Sequence, residues 1–426
     1  MTAATDSQGR PVVAVTGLGI ITALGQGVAD NWRALTAGRS GIRRIRRFPI
    51  EGLRTTIAGV IDFLPLAPFS TPALSETIAA GVIEEALATA AIGGRGGFPG
   101  PLFLAMPPVE LEWPQRRALA AAATTAGPVG YADLLRAAAA GGFADTYERF
   151  LFASIGERLA ERFATRGVPI EISTACASGA TAIQLGVEAI RRGETEVALA
   201  VGTDASVNVE ALVRFSLLSA LSTRNDPPES AARPFSKDRD GFVMAEGGGA
   251  LVLESLAHAR ARGAEVLGVI AGAGEMADSF HRTRSAPDGR PIIACMRRAI
   301  ADAGLGADDI GYVNAHGTGT PENDKMEWLG LASVLGERAG QVPVSSNKSM
   351  IGHTLSAAGA IEAAFTLLSL RHGLLPPTIN YDTPDPALAL DCVPNTARPA
   401  DVAYALSNSF GFGGQNVALV LGREPG

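Results

Sequence analysis

The 426 residues hold only three cysteines, Cys176, Cys295 and Cys392, which are far apart, odd in number and without CxxC spacing. This pattern excludes a disulfide framework and a cysteine-rich zinc module, and it suits a reducing cytoplasm. The first ten residues, Met1 to Arg10, carry neither a basic start nor an apolar core, so no secretory signal is legible. No apolar run is long enough to cross a bilayer without Gly, Pro or charge, and no membrane insertion is expected. A net charge of −7 gives no general attraction to nucleic acid. Histidine is scarce, with five residues, and no HExxH motif occurs. Neither histidine singled out below has a Cys or His partner at ligand spacing, so a metal site is not expected. The glycine-rich turns lack a following Lys-Ser/Thr, which removes a P-loop. Thr16-Gly17-Leu18-Gly19 lacks the full GxGxxG spacing, so close backbone packing is preferred there over a dinucleotide site.

A hydrophobic content of 47% is ordinary for a globular chain and excludes disorder. The length suits two conventional lobes or one large α/β unit. Val12 to Val15 reads as a buried strand entering a tight turn, Thr77 to Ala90 as a helix, and Leu102 to Ala105 and Ile170 to Ile172 as strands. Ala180 to Arg192 reads as a helix with an Arg-Gly stop, followed by a strand over Val197 to Val201. Strands alternating with helices predict βαβ crossovers around a buried sheet. Val168 to Gly193 reads as strand, Ser/Thr turn, Ala/Gly-rich helix and Arg-Gly stop, and Val342 to Gly373 repeats that plan. The run from Gly247 to Leu253 is likewise echoed by Gly413 to Leu421. A duplicated α/β domain follows, with residues 1–262 and 263–426 as its halves and a shared cleft between them. Residues 106–162, Pro-rich and then Ala-rich with breaks at Gly127-Pro128 and Gly141-Gly142, read as an inserted cap or subunit-contact region. The cluster Arg39, Arg43, Arg44, Arg46 and Arg47 is a solvated face or a docking face for an acidic protein.

Four segments carry chemistry. Cys176, in Thr174-Ala175-Cys176-Ala177-Ser178-Gly179, precedes a helix whose N-H groups and dipole favour the thiolate and lower its pKa. It is a nucleophile or a buried structural cysteine. His316 stands in the strand-end loop Asn314-Ala315-His316-Gly317-Thr318-Gly319-Thr320. Lys348 and His353 stand in Ser346-Asn347-Lys348-Ser349-Met350-Ile351-Gly352-His353, a second turn ahead of a helix over Leu355 to Leu370. Asn408-Ser409-Phe410-Gly411-Phe412-Gly413-Gly414 forms a glycine-rich loop, either half of an oxyanion hole or a tight β-turn packed by two aromatics.

Taken together, TACASG, HGTGT, SNKSMIGH and NSFGFGG resemble the β-ketoacyl-acyl carrier protein synthases of the elongating types I and II, with matching motifs from Val12 to Leu421. The resemblance implies a thiolase-like α/β fold of two βαβαβαββ halves in a five-layer αβαβα arrangement, normally a homodimer. It implies that Cys176 accepts the acyl group, that His316 and His353 serve malonyl decarboxylation, and that Lys348 supports them electrostatically. It implies further that Phe412 is a gate, that the N-H groups of Cys176 and Phe412 form the oxyanion hole, and that Thr318 and Thr320 bind the phosphopantetheine arm. That arm is supplied by the acyl carrier protein, in acyl and malonyl forms, so the family needs no cofactor of its own. Asp324, Glu327 and Glu362 fall at family acids that are mainly structural.

The implied reaction is decarboxylative condensation to 3-oxoacyl-acyl carrier protein in fatty acid elongation, with very long or modified chains as a specialised form. The alternative is a non-elongating or polyketide-type ketosynthase or a partner subunit of a heterodimeric ketosynthase. The chain departs from the common pattern at Met106-Pro107-Pro108-Val109-Glu110, at Ser219, at Gln415, and from Pro114 to Arg162. A thiolase would need a second catalytic cysteine, and Cys392 in Leu390-Asp391-Cys392-Val393-Pro394 has no glycine-rich context for that role. A starter-type synthase pairs its cysteine with His and Asn. A chain-length factor usually lacks the nucleophile that Cys176 provides.

Overall fold

A computed structural model describes residues 4–66, 69–94, 96–123 and 127–424. The first half runs β1 (Val13–Thr22), α1 (Thr71–Ala90), β2 (Leu102–Ala105), α2 (Ser154–Phe163), β3 (Ile170–Ile172), α3 (Ser178–Arg191), β4 (Val197–Asp204) and β5 (Gly247–Ser255). The second runs β6 (Gly268–Ala277), α4 (Arg290–Asp302), β7 (Ile310–Asn314), α5 (Pro321–Leu335), β8 (Pro343–Ser345), α6 (Ala358–His372), β9 (Tyr404–Phe410) and β10 (Gln415–Gly422). Strand order is β3-β2-β4-β5-β1 in one half and β8-β7-β9-β10-β6 in the other, so each strand has a counterpart. In each half the first three strands are parallel and the last two pair antiparallel. The sheets meet edge to edge where β1 pairs β6, through Val13 with Ile270, Ala14 with Val269 and Val15 with Gly268.

Helices α1 and α2 cover the outside of the first sheet, and α4 and α5 the outside of the second. Helices α3 and α6 lie between the sheets, giving the five αβαβα layers. The middle position explains the composition of α6, which is buried at every residue from Ala358 to Leu370. A helix covered on all sides shows no single apolar stripe and is small or apolar nearly all round, with its buried polar groups, Glu362, Thr366 and Ser369, each hydrogen-bonded. Helices α3 and α6 approach most closely at two glycines. A Cβ on Gly359 would stand 2.4 Å from the Ala180 nitrogen, and one on Gly179 would stand 2.6 Å from that of Ala360.

Strand β1 differs from its expected form, since it continues through Gly17 and Gly19 without a turn. The glycines serve packing. A Cβ at Gly17 would lie 2.1 Å from the Ala86 carbonyl oxygen, and one at Gly19 would lie 1.9 Å from that of Val82, both on α1. The helix expected from Ala180 begins at Ser178, after a 3-10 turn over Ala175–Ala177, and that expected from Leu355 begins at Ala358, after a 3-10 turn over Leu355–Ala357. Asn408, Ser409 and Phe410, expected in a loop, lie within β9. The inserted region forms helices over Trp113–Ala122, Tyr131–Ala139 and Ala144–Arg149, none with a buried residue, and then α2. Part of that region, 124–126, lies outside the described residues, as do 1–3 of the opening segment.

Within the basic cluster, Arg47 is committed internally. It forms an ion pair with the fully buried Glu246 and lies over the Phe69 ring at 4.4 Å. Arg39, Arg43, Arg44 and Arg46 are exposed. Among the described residues no helix is long and apolar enough to cross a membrane.

Candidate active site

The turn before α3 presents Cys176. Ala175 sits at φ 49°, a left-handed conformation costly for a residue with a Cβ. The Ser178 hydroxyl holds the turn, accepting the Thr174 N–H at 2.8 Å and donating to the Ala175 carbonyl at 2.6 Å. The turn before α6 repeats this shape, with Leu355 at φ 44°. Thr354-Leu355-Ser356-Ala357-Ala358-Gly359 is therefore the structural echo of Thr174 to Gly179, and Ser356 stands where the other half has Cys176. The two positions differ in chemistry. The Ser356 N–H donates to Asp204 Oδ2 at 3.1 Å, so in the second half a buried carboxylate occupies that donor.

The second half supplies the groups that face Cys176. His353 Nε2 lies 3.1 Å from Cys176 Sγ, and the His316 and His353 rings meet edge to face at 5.3 Å and 83°. The sulfur and one nitrogen of each histidine lie within 4.8 Å of one another. The sequence spacing of these residues gave no sign of such a cluster, because the crossing of the two halves creates it. Its geometry would also admit a soft divalent cation.

His316 is held through its backbone. Its N–H and that of Gly317 donate to the two oxygens of buried Glu327, at 2.8 and 2.7 Å, and Asn408 Nδ2 adds a third donor at 3.0 Å. Asp324 similarly receives the Phe235 and Gly319 N–H groups. Both acids thus order the loop and leave the reacting face to the imidazoles.

The ring tautomers follow from the bonding. Lys348 Nζ donates to His316 Nδ1 at 3.4 Å, and the Leu355 N–H donates to His353 Nδ1 at 3.3 Å. With Nδ1 an acceptor on each ring, the ring proton of each neutral imidazole is on Nε2. Burial drives both histidines well below their ordinary pKa, and the Lys348 charge adds to the effect. Both rings are therefore neutral Nε2–H donors near pH 7. Lys348 forms a buried ion pair with Glu362 of α6. Burial lifts the Glu362 carboxyl to about 7, against the pull of Lys348.

The expected low thiol pKa is not found. Burial pushes the Cys176 thiol up to about 11, outweighing the Phe412 backbone N–H at the sulfur and the charge of Lys348. The resting group is a thiol, and its proton must leave as the sulfur attacks.

Two cavities reach Cys176. One, of about 330 Å³, also holds His316, His353, Thr318 and Thr320. The other, of about 620 Å³, runs past Met106 to Glu112, Asp204 and Leu218. Phe412 lines both, as do Phe215, Leu218 and Leu355. Thr318 and Thr320 exchange a hydroxyl hydrogen bond at 2.9 Å. Ser219 lies on the first cavity, while Gln415 lines the second and donates to Glu275 at 3.2 Å. Cys295 and Cys392 are buried elsewhere. Sequence reasoning missed Asp204 and Ser356, whose only signal was the echo of the nucleophile turn.

The chain matches the family profile "Beta-ketoacyl synthase, N-terminal domain" over residues 10–67 and 116–259, and "Beta-ketoacyl synthase, C-terminal domain" over 267–382. It is 36% identical to the tetracenomycin polyketide synthase ketoacyl synthase alpha subunit of Streptomyces glaucescens, across 96% of this chain and 97% of that protein. It is also 36% identical to 3-oxoacyl-[acyl-carrier-protein] synthase 2 of Vibrio harveyi, across 96% and 98%. Among solved structures, a type II PKS acyl-carrier protein in complex with its ketosynthase bound to the hexaketide superposes with a TM-score of 0.86 at 32% identity, covering 97% of this chain and 100% of that one.

Proposed function

The chain belongs to the beta-ketoacyl synthase family, and from that premise we propose that it condenses an acyl group carried on Cys176 with malonyl-acyl carrier protein, giving 3-oxoacyl-acyl carrier protein and carbon dioxide. The observation that carries this reading is the pair of neutral Nε2–H donors, His316 and His353, set beside a nucleophilic sulfur at the junction of two cavities.

In the first step the Cys176 sulfur attacks the thioester carbonyl of the acyl carrier protein. The carbonyl oxygen gains charge against the N–H groups of Cys176 and Phe412. The carrier leaves as a thiol, taking up the proton that Cys176 gives up, so no net base is consumed. The acyl chain lies in the larger cavity. In the second step malonyl carrier protein brings its arm through the smaller cavity, past Thr318 and Thr320. His316 and His353 donate their Nε2–H groups to the malonyl thioester oxygen, which stabilises the enolate left when carbon dioxide departs. The enolate carbon attacks the acyl-Cys176 carbonyl, the new carbon-carbon bond forms, and the Cys176 sulfur leaves as a thiolate that takes a proton from water. Lys348, held by Glu362, fixes the His316 tautomer. The reaction as written uses no resident metal or cofactor, because the phosphopantetheine arm arrives on the carrier.

A second reading, condensation within polyketide synthesis or as one subunit of a heterodimer, is favoured by the similarity to a polyketide alpha subunit. A homodimer is supported by Trp113, Tyr131, Leu135 and Tyr147, apolar side chains exposed on helices without a buried residue. The three free cysteines are consistent with a reducing cytoplasm. The test is intact-mass detection of an acyl adduct after incubation with a panel of acyl carrier proteins. An adduct on the wild type that is lost in Cys176→Ala supports the proposal, and an adduct that survives in that variant refutes it.

A further inference from the structure

We infer that Arg282 and Arg284 bind the phosphodiester through which the pantetheine arm hangs from its carrier protein. The inference rests on the carrier-dependent reading given above.

The two arginines sit on a loop whose shape is fixed at both ends by one residue. Asp278, buried just after β6, accepts the Phe280 N–H through Oδ1 at 2.9 Å and the Ala286 N–H through Oδ2 at 2.8 Å. One carboxylate thus closes the loop over 278–286. The loop is also tied to the Phe412 segment. The Asp278 N–H donates to the Gly414 carbonyl, and the Gly413 N–H donates to the Arg282 carbonyl, each at 2.7 Å. These bonds hang the loop over the smaller cavity, whose lining includes Arg282, Thr283 and Arg284 together with Cys176, His316 and Thr318.

Both arginines are exposed. Among the described residues neither guanidinium forms an ion pair, although most other arginines near an acid are engaged, as Arg47, Arg239 and Arg262 are. An unpaired arginine on an open surface is ordinarily a solvated one. Two of them at the rim of a cavity that ends at a nucleophile define a site for an anion that stops at the rim while an uncharged arm continues inward. A guanidinium offers a planar fork of donors matched to phosphate oxygens. Of the two acids on the same lining, Asp278 is committed to its loop, and Glu322 lies in the first turn of α5.

The test compares wild type with the double variant Arg282→Ala/Arg284→Ala, measuring acyl transfer to Cys176 from three donors of one acyl group. The donors are the acyl carrier protein, the acyl-phosphopantetheine without protein, and the acyl-N-acetylcysteamine thioester without phosphate. The expected result is a KM raised about tenfold for the first two donors with kcat nearly kept, and no change for the third. Lysine at both positions should recover only part of the loss, since the charge is retained but the planar fork is not. Three outcomes overturn the inference: no change for any donor, an equal loss for all three, or a loss confined to the intact carrier, which would place the contact on the carrier's protein surface. Failure of the wild type to accept an acyl group from any carrier would instead refute the underlying function, and the two failures are distinguishable.

Discussion

Replacing Lys348 with Met should separate what the buried ion pair does for the fold from what it does for the chemistry. Lys348 and Glu362 are both essentially inaccessible to water. Glu362 is held at about 7, compared with 4.5 ordinarily. The folded state therefore binds this proton more tightly than the unfolded chain does. Its contribution to stability is full below about pH 4.5 and falls as the pH rises toward 7, a loss of about 3 kcal/mol across the window. Removing Lys348 removes the main influence that opposes burial, so the Glu362 pKa rises further and the window of falling stability extends above pH 7. Breaking a buried pair by deleting one partner costs about 3 to 5 kcal/mol when the remaining group stays charged. Lys348→Met should therefore destabilise clearly more at pH 8 than at pH 6, where Glu362 is largely protonated with or without Lys348. Adding Glu362→Gln should restore most of the stability at pH 8. It should not restore condensation, because His316 Nδ1 still lacks its donor. Urea unfolding midpoints at pH 6 and 8, read beside condensation rates, check both parts. Equal destabilisation at the two pH values, or recovery of activity in the double variant, would refute the reasoning.

Two further outcomes follow from the same structure. Iodoacetamide should alkylate Cys176 about tenfold faster per pH unit between pH 7 and 9, since only the thiolate reacts and burial holds the thiol near 11; a plateau in the rate below pH 8 would contradict this. Gly19→Ala would place a Cβ 1.9 Å from the Val82 carbonyl oxygen, so it should cost about 3 kcal/mol by forcing α1 off β1. Thermal unfolding measures that cost, and an unchanged midpoint would show that the two backbones are not in contact.

Much of the molecule was legible because its signals are local. The alternation of strands and helices, and the strand-turn-helix plan repeated from Val168 and again from Val342, foreshadowed two matching halves. Gly17 and Gly19 were harder, because a glycine required by a tight turn and one required by a close helix look alike in sequence. Here packing decided between them. Cys176 looked activated from its helix start alone, but a helix terminus is a modest local influence, whereas burial depends on everything folded around the sulfur. Arg47 looked like surface charge because its partner, Glu246, is 199 residues away. The closeness of Cys176 to two histidines had the same origin, with one half supplying the sulfur and the other the rings. Their tautomers rest on contacts from Lys348 and the Leu355 N–H, which no spacing rule encodes.

In the proposed reaction His316 and His353 act on the malonyl group as neutral N–H donors while Cys176 carries the acyl chain. The most direct test is to follow both half-reactions in His316→Ala, reading acyl-Cys176 by intact mass and 3-oxoacyl-carrier protein by product mass. Acyl loading should stay close to wild type and condensation should fall about 100- to 1,000-fold, the usual cost of losing one such donor. Condensation at the wild-type rate, or loss of loading in step with condensation, would contradict these roles.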